Sequence, residues 1–182
     1  LAAINASMTR VNGIFEKDLA VRMVLIANND LVLYTNASTD PYTTSYNSQL
    51  QSTLTSVIGD ANYDVGHVFV RASNNGNAGC IGCVCASGKG SGFTSSTIPT
   101  GDTFDIDYVA HEMGHQLGAN HTFSHELEGT GANVEPGSGS TIMGYAGITA
   151  DYDVQGSSDD YFAYTSILQI QNNLANINCP VS

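Results

Sequence analysis

Between residues 111 and 121 the chain reads H-E-M-G-H-Q-L-G-A-N-H, and this spacing dictates a local geometry. On a helix, residues four apart lie one above the other, so His111 and His115 present both imidazoles to one point. Glu112 sits beside them, within reach of a water at that point without being a ligand. His121 lies six residues beyond His115 and would face elsewhere on a continued helix. Gly118 resolves the geometry. It has no Cβ to oppose a left-handed turn, so it can end the helix and swing the chain back. Three neutral imidazoles form a zinc donor set that leaves a fourth position for water, the arrangement of catalytic rather than structural sites. Glu112 then stands where a general base is needed. A solvated helix acid and ordinary core or surface histidines would not require this spacing.

The same residues form the extended motif of the metzincin zinc endopeptidases, which the chain resembles. S-T-I-M-G-Y (140–145) is similar to the Met-turn of that clan, with Met143 as its methionine, 22 residues after His121. Met143 is expected to form a packed apolar floor below the imidazoles. Tyr145 is either an oxyanion-stabilising group near the metal or a plain packed tyrosine. His67 and His125 are spare histidines, outside the three-ligand pattern. A thermolysin-type site would need Glu126, Glu128 or Glu135 as third ligand, which His121 makes unnecessary.

The length of 182 residues is enough for one domain with a real core. Seventeen acids against five bases, net −12, argue against nucleic-acid binding. This acidity is either a solubility device or a source of oxygen ligands for calcium. No apolar run is long enough to span a membrane. The N-terminus shows no signal peptide, so a mature or trimmed catalytic domain of an exported precursor is expected. Three of the four cysteines fall in C-I-G-C-V-C (80–85) and the fourth is Cys179. Disulfides in an oxidising compartment fit better than a second zinc site, and four cysteines allow three pairings.

Apolar spacing predicts a helix over 2–19 and a second over 42–58. Residues 20–27 and 65–71 read as strands, with a short strand at 80–86. Residues 73–79 and 89–102 read as irregular loops. The motif helix is expected over about 104–117, capped by Asp102 or Thr103. A Gly- and Ser-rich stretch (122–157) follows, then a last helix over about 159–174 with Asp159 and Asp160 at its positive end. This order predicts an α/β (α+β) fold with a mixed twisted sheet. It also resembles the metzincin catalytic domain: a sheet with backing helices, the active-site helix below it, and a loop-rich lower subdomain ending in a helix. The implied division is an upper subdomain of about 1–121 and a lower one of about 122–182. The resemblance further implies a strand before the first helix, where residue 1 here already begins that helix.

Within the clan the chain is most similar to the reprolysin (adamalysin) group. G-N-A-G-C-I-G-C-V-C ahead of the motif and N-I-N-C-P near the end carry that likeness. It implies a Cys85–Cys179 bridge, leaving Cys80 and Cys83 as a local pair or as reduced buried side chains. It also implies a calcium site near that bridge, with Asp64 and the stretch 176–182. Thr122-Phe123 depart from the group, which usually has Asp after the third histidine. H-T-F there is similar to the pappalysins, the second resemblance. Either implies a secreted zinc endopeptidase acting on protein or peptide substrates, a propeptide or inhibitor as further partner, and a monomer. An extended peptide would pair with an edge strand around 79–86, and the pocket past the scissile bond would lie between the motif helix and about 146–153. The rival from another class is a catalytically silent binding module that keeps the fold.

Overall fold

The computed structural model describes residues 1–179. Helix α1 (Ala2–Leu19) buries Met8, Val11, Ile14, Phe15 and Leu19, the face its spacing predicts. Ala20 closes it in the left-handed conformation (φ 56°), with its N–H donating to Phe15 O. Residues 21–26 then run extended but pair with no strand. The Asn12 side chain takes the hydrogen bonds a neighbouring strand would make, donating to Met23 O (2.8 Å) and accepting from Met23 N–H (2.9 Å). The strand predicted at 20–27 is therefore absent. An apolar cavity of about 280 Å³ separates this segment from the sheet.

Helix α2 (Tyr46–Thr53) continues into a wider turn over Leu54–Ile58. Its Leu50, Leu54 and Ile58 pack with Tyr63 in a small second core. The sheet has three strands, β1 (His67–Val70), β2 (Asn75–Asn77) and β3 (Gly92–Ser95), in the order β1-β3-β2. β1 runs parallel to β3 and β2 antiparallel to it, which makes the sheet mixed. Two of these strands fall in stretches predicted to be irregular. β3 is buried along its length although it reads G-F-T-S, because its hydroxyls are satisfied internally. Thr94 Oγ1 meets His67 Nε2 at 2.8 Å, and Ser95 Oγ donates to Ser73 O at 2.8 Å.

The strand predicted at 80–86 is likewise absent. Gly82 and Cys85 take positive φ (70° and 66°), and the cysteines are bridged Cys80–Cys83 and Cys85–Cys179. The sheet has two edge strands, β1 and β2, and β2 is the one that passes over the motif helix at Glu112.

The motif helix is one helical rod: wide turns over Thr103–Ala110 lead into α3 (His111–Leu117). Asp102 does not cap it. Asp102 is instead held by Arg10 Nε and Nη2 (2.9 and 3.0 Å), and Arg10 also reaches Asp160 (3.1 Å). After Gly118 the chain forms turns until α4 (Tyr164–Leu174). α4 starts five residues later than predicted, so Asp160 is spent on Arg10 rather than on the α4 terminus. One main core joins α1, the rod, the Met143 segment and α4, with Phe15 and Phe162 edge to face at 5.3 Å. The result is a mixed α/β fold consistent with a metzincin catalytic domain. Among the described residues no helix is long and apolar enough to cross a membrane.

Candidate metal centre

α3 is the most buried helix of the molecule; all seven of its residues are buried. Gln116, fully buried, ties it to the sheet by donating to Gly66 O (2.9 Å) and meeting His67 Nδ1 (2.9 Å). A Cβ at Gly92 would collide with both His67 and Gln116, so glycine in β3 is what permits this approach. On the opposite side, a Cβ at Gly114 would stand 2.6 Å from Met143 Sδ and 3.0 Å from Phe162. The glycine inside the motif thus lets Met143, wholly buried, pack directly against the helix. Gly118 ends the helix at φ 125°, with its N–H bonding back to His115 O (2.9 Å). The C-I-G-C-V-C loop closes the same end: Gly82 N–H donates to His115 O (2.8 Å) and Val84 N–H to Gln116 O (3.3 Å).

This frame brings His111, His115 and His121 together, with one ring nitrogen of each within 4.8 Å of the others. Every Nδ1 is engaged by an acceptor: Ile142 O for His111 (2.6 Å), Ala119 O for His115 (2.7 Å) and Glu128 Oε1 for His121 (2.9 Å). A donor N–H at each Nδ1 leaves each Nε2 as a lone pair. His115 Nε2 and His121 Nε2 lie 3.0 Å apart, close enough for one cation to be shared between them. Burial, then the neighbouring imidazoles, pushes the pKa of His111 well below its usual value and that of His115 down to about 4. Both are neutral near pH 7, as metal ligands must be. Three converging imidazoles, each with its Nδ1 engaged, suit zinc.

His121 is held differently from the other two. Phe123 stacks on its ring (4.8 Å) and Tyr145 meets it edge to face (4.6 Å). Thr122, wholly buried, is pinned by Glu135: the Thr122 hydroxyl donates to Glu135 Oε2 and Glu135 N–H donates to Thr122 O (2.8 Å). The Glu135 carboxylate also accepts from Ser140 N–H, Thr141 N–H and the Thr141 hydroxyl (3.0, 3.1 and 2.6 Å). It thereby fastens the third histidine's segment to the one carrying Met143. Where Thr122 departs from the usual aspartate, the carboxylate arrives from thirteen residues downstream. Neither Glu135 nor Phe123 stands out by spacing in the sequence, although H-T-F marked the position. The spare histidines stay away from the centre: His67 bridges Gln116 and Thr94, and His125 packs between Phe123 and Tyr152.

Glu112 is 9% exposed and lies under the edge strand. A Cβ at Gly76 would overlap its carboxylate, so β2 approaches with bare backbone. Burial raises the Glu112 pKa to about 7, opposed by a hydrogen bond from the Ala78 backbone. Tyr145, whose pKa burial raises to about 12, stays protonated beside His111 and His121. Glu112 and Tyr145 divide two recesses: one of about 270 Å³ reaching Cys80 and Ile81, the other of about 480 Å³ reaching Asp107 and Ile148.

Asp64 lies beside the Cys85–Cys179 bridge, with Cys85 N–H donating to its backbone O (2.8 Å). The two sulfurs accompanying it are joined to each other and are no ligands for calcium, which takes roughly six to eight oxygens. The described residues give the expected calcium site no support; residues 180–182 of that stretch lie outside them.

A comparison with curated proteins finds no match. Residues 1–174 match a family described as Metallo-peptidase family M12B Reprolysin-like. That span runs from α1 to the last residue of α4 and holds all three histidines, so this chain belongs to the reprolysin-like metallopeptidases.

Proposed function

We propose that the chain is a secreted zinc endopeptidase, with His111, His115 and His121 as the metal ligands and Glu112 as general base. The observation that carries this reading is the convergence of the three imidazoles, each Nδ1 engaged and one nitrogen of each ring within 4.8 Å of the others. Zinc, when bound, polarises a peptide carbonyl and lowers the pKa of water. Glu112 takes a proton from the attacking water and delivers it to the nitrogen of the departing amine. A carboxylate with its pKa near 7 is matched to both transfers. Tyr145 keeps its proton and offers its hydroxyl to the oxyanion. Met143 supports the imidazoles from below. An extended substrate adds to the free edge of β2, rather than to 79–86, by main-chain hydrogen bonds. Four paired cysteines suit an oxidising, extracellular compartment. The domain acts as a monomer and is held in check by a propeptide or inhibitor.

Glu112→Ala should retain zinc while casein cleavage falls at least about 100-fold. Cleavage by the parent should stop on adding a chelator and return with zinc. Full activity in Glu112→Ala would refute the base assignment. A zinc-loaded parent that cleaves neither casein nor gelatin would favour the silent binding module.

A further inference from the structure

The larger recess beside Glu112 has a chemical character of its own. Its volume is about 480 Å³, ample for a long side chain. Besides Glu112, the charged carboxylate on its wall is Asp107, and no lysine or arginine lines it. Asp107 stands four residues before His111 on the same rod, which puts both side chains on one face. Ser158 N–H donates to Asp107 Oδ1 at 2.6 Å and fixes the carboxylate from the facing wall. Among the described residues no cation pairs with Asp107; the nearby guanidinium of Arg10 is committed to Asp102 and Asp160. A half-buried carboxylate without a counter-ion is costly, and burial accordingly raises the pKa of Asp107. Ala146, buried, and Ile148, 64% exposed, add an apolar wall.

We propose that this recess receives a lysine or arginine side chain of the substrate, at the residue just past the scissile bond, and that Asp107 is the group that selects it. The inference rests on the peptidase reading above. The aliphatic stem lies along Ala146 and Ile148 while the cationic head meets Asp107, the way long basic side chains divide themselves between apolar and polar surroundings. Pairing converts an uncompensated charge into a charge-assisted hydrogen bond. The net charge of −12 adds a field that concentrates basic substrates around the molecule.

The zinc-loaded protein should be profiled on a peptide library, with Asp107→Asn and Asp107→Lys beside it. Asparagine can still accept from Ser158, and thermal melting would verify the fold. The parent should cut before Lys or Arg. Asp107→Asn should lose about ten- to a hundredfold in kcat/KM on those peptides and less than about threefold on peptides with Leu or Met there. Asp107→Lys should shift preference to acidic residues. A parent without basic preference, or an Asp107→Asn variant that keeps it, overturns the proposal. Binding of the uncleavable probe Nα-acetyl-argininamide supplies an arm that needs no turnover. If no library peptide is cut, the peptidase reading has failed, and the probe still decides the recess. Binding at least tenfold weaker in Asp107→Asn supports the role of Asp107; equal binding overturns it.

Discussion

The two sides of the candidate metal centre are built by different physics. His111 and His115 sit on a helix buried along its length, locked to the sheet through Gln116 and to the core through Gly114 and Met143. Their positions follow from helix periodicity and apolar packing. His121 sits on a turn and is partly exposed, held by ring stacking, Glu128 and the Glu135 carboxylate. One side would keep its shape without the metal; the other depends on a few polar contacts at the rim of the molecule. The helix side therefore owes its geometry to packing, and the turn side owes its geometry to polar contacts.

The sharpest way to break this contrast is to delete one ligand from each side. His111→Ala and His121→Ala should both abolish zinc binding at stoichiometric metal, measured by metal analysis. Their metal-free stabilities should part company. His111→Ala leaves Ile142 O without its donor in a buried hole and should lose about 2–3 kcal/mol in urea unfolding. His121→Ala removes an aromatic contact near solvent and should lose less than about 1 kcal/mol. Equal losses would mean that the two sides are not distinct.

Next, by its effect on the metal, is Glu135→Ala. It strands two hydroxyls and two N–H groups and should cost about 3 kcal/mol. Because Thr122 adjoins His121, zinc affinity should also fall about 10- to 100-fold by competition with a chelating dye. Unchanged affinity would show that Glu135 serves the fold alone.

The test with the least bearing on the metal concerns pH on the helix side. Burial lowers the His67 pKa to about 4, against a hydrogen bond to Gln116 Oε1 that favours the protonated form. An unfolded histidine binds its proton near pH 6.5, so between those values the unfolded chain holds a proton that the folded one lacks. The contribution of His67 is complete above about pH 6.5 and declines as pH falls toward 4, by no more than about 3 kcal/mol. In His67→Gln the acid decline in stability should be shallower by up to one proton over that range. An identical slope would place the acid sensitivity elsewhere.

What was legible in the sequence follows the same division. The three histidines, Glu112 and Gly118 stand out because their geometry is local, set by helix spacing. α1 and the motif helix are legible for that reason too. β3 is not, because G-F-T-S gains its burial from hydroxyl partners on His67 and Ser73, which no local pattern announces. β2 has no apolar residue at all, and 20–27 imitates a strand while Asn12 takes its hydrogen bonds. Gln116 and Asp107 escape notice, and Glu135 is weighed only as a rival metal ligand rather than as a brace, because each acts through contacts distant in the chain. The Cys85–Cys179 bridge is the one the family resemblance implied, and Cys80–Cys83 form the local pair, while the late start of α4 at Tyr164 is a product of tertiary packing.

The bare backbone of Gly76 above Glu112 has an evolutionary consequence. A position without a side chain offers selection nothing to vary, and any substitution there would intrude on the carboxylate. Change is therefore tolerated only further out, at positions such as Ile81 and Ile148, whose replacement leaves the Glu112 carboxylate untouched.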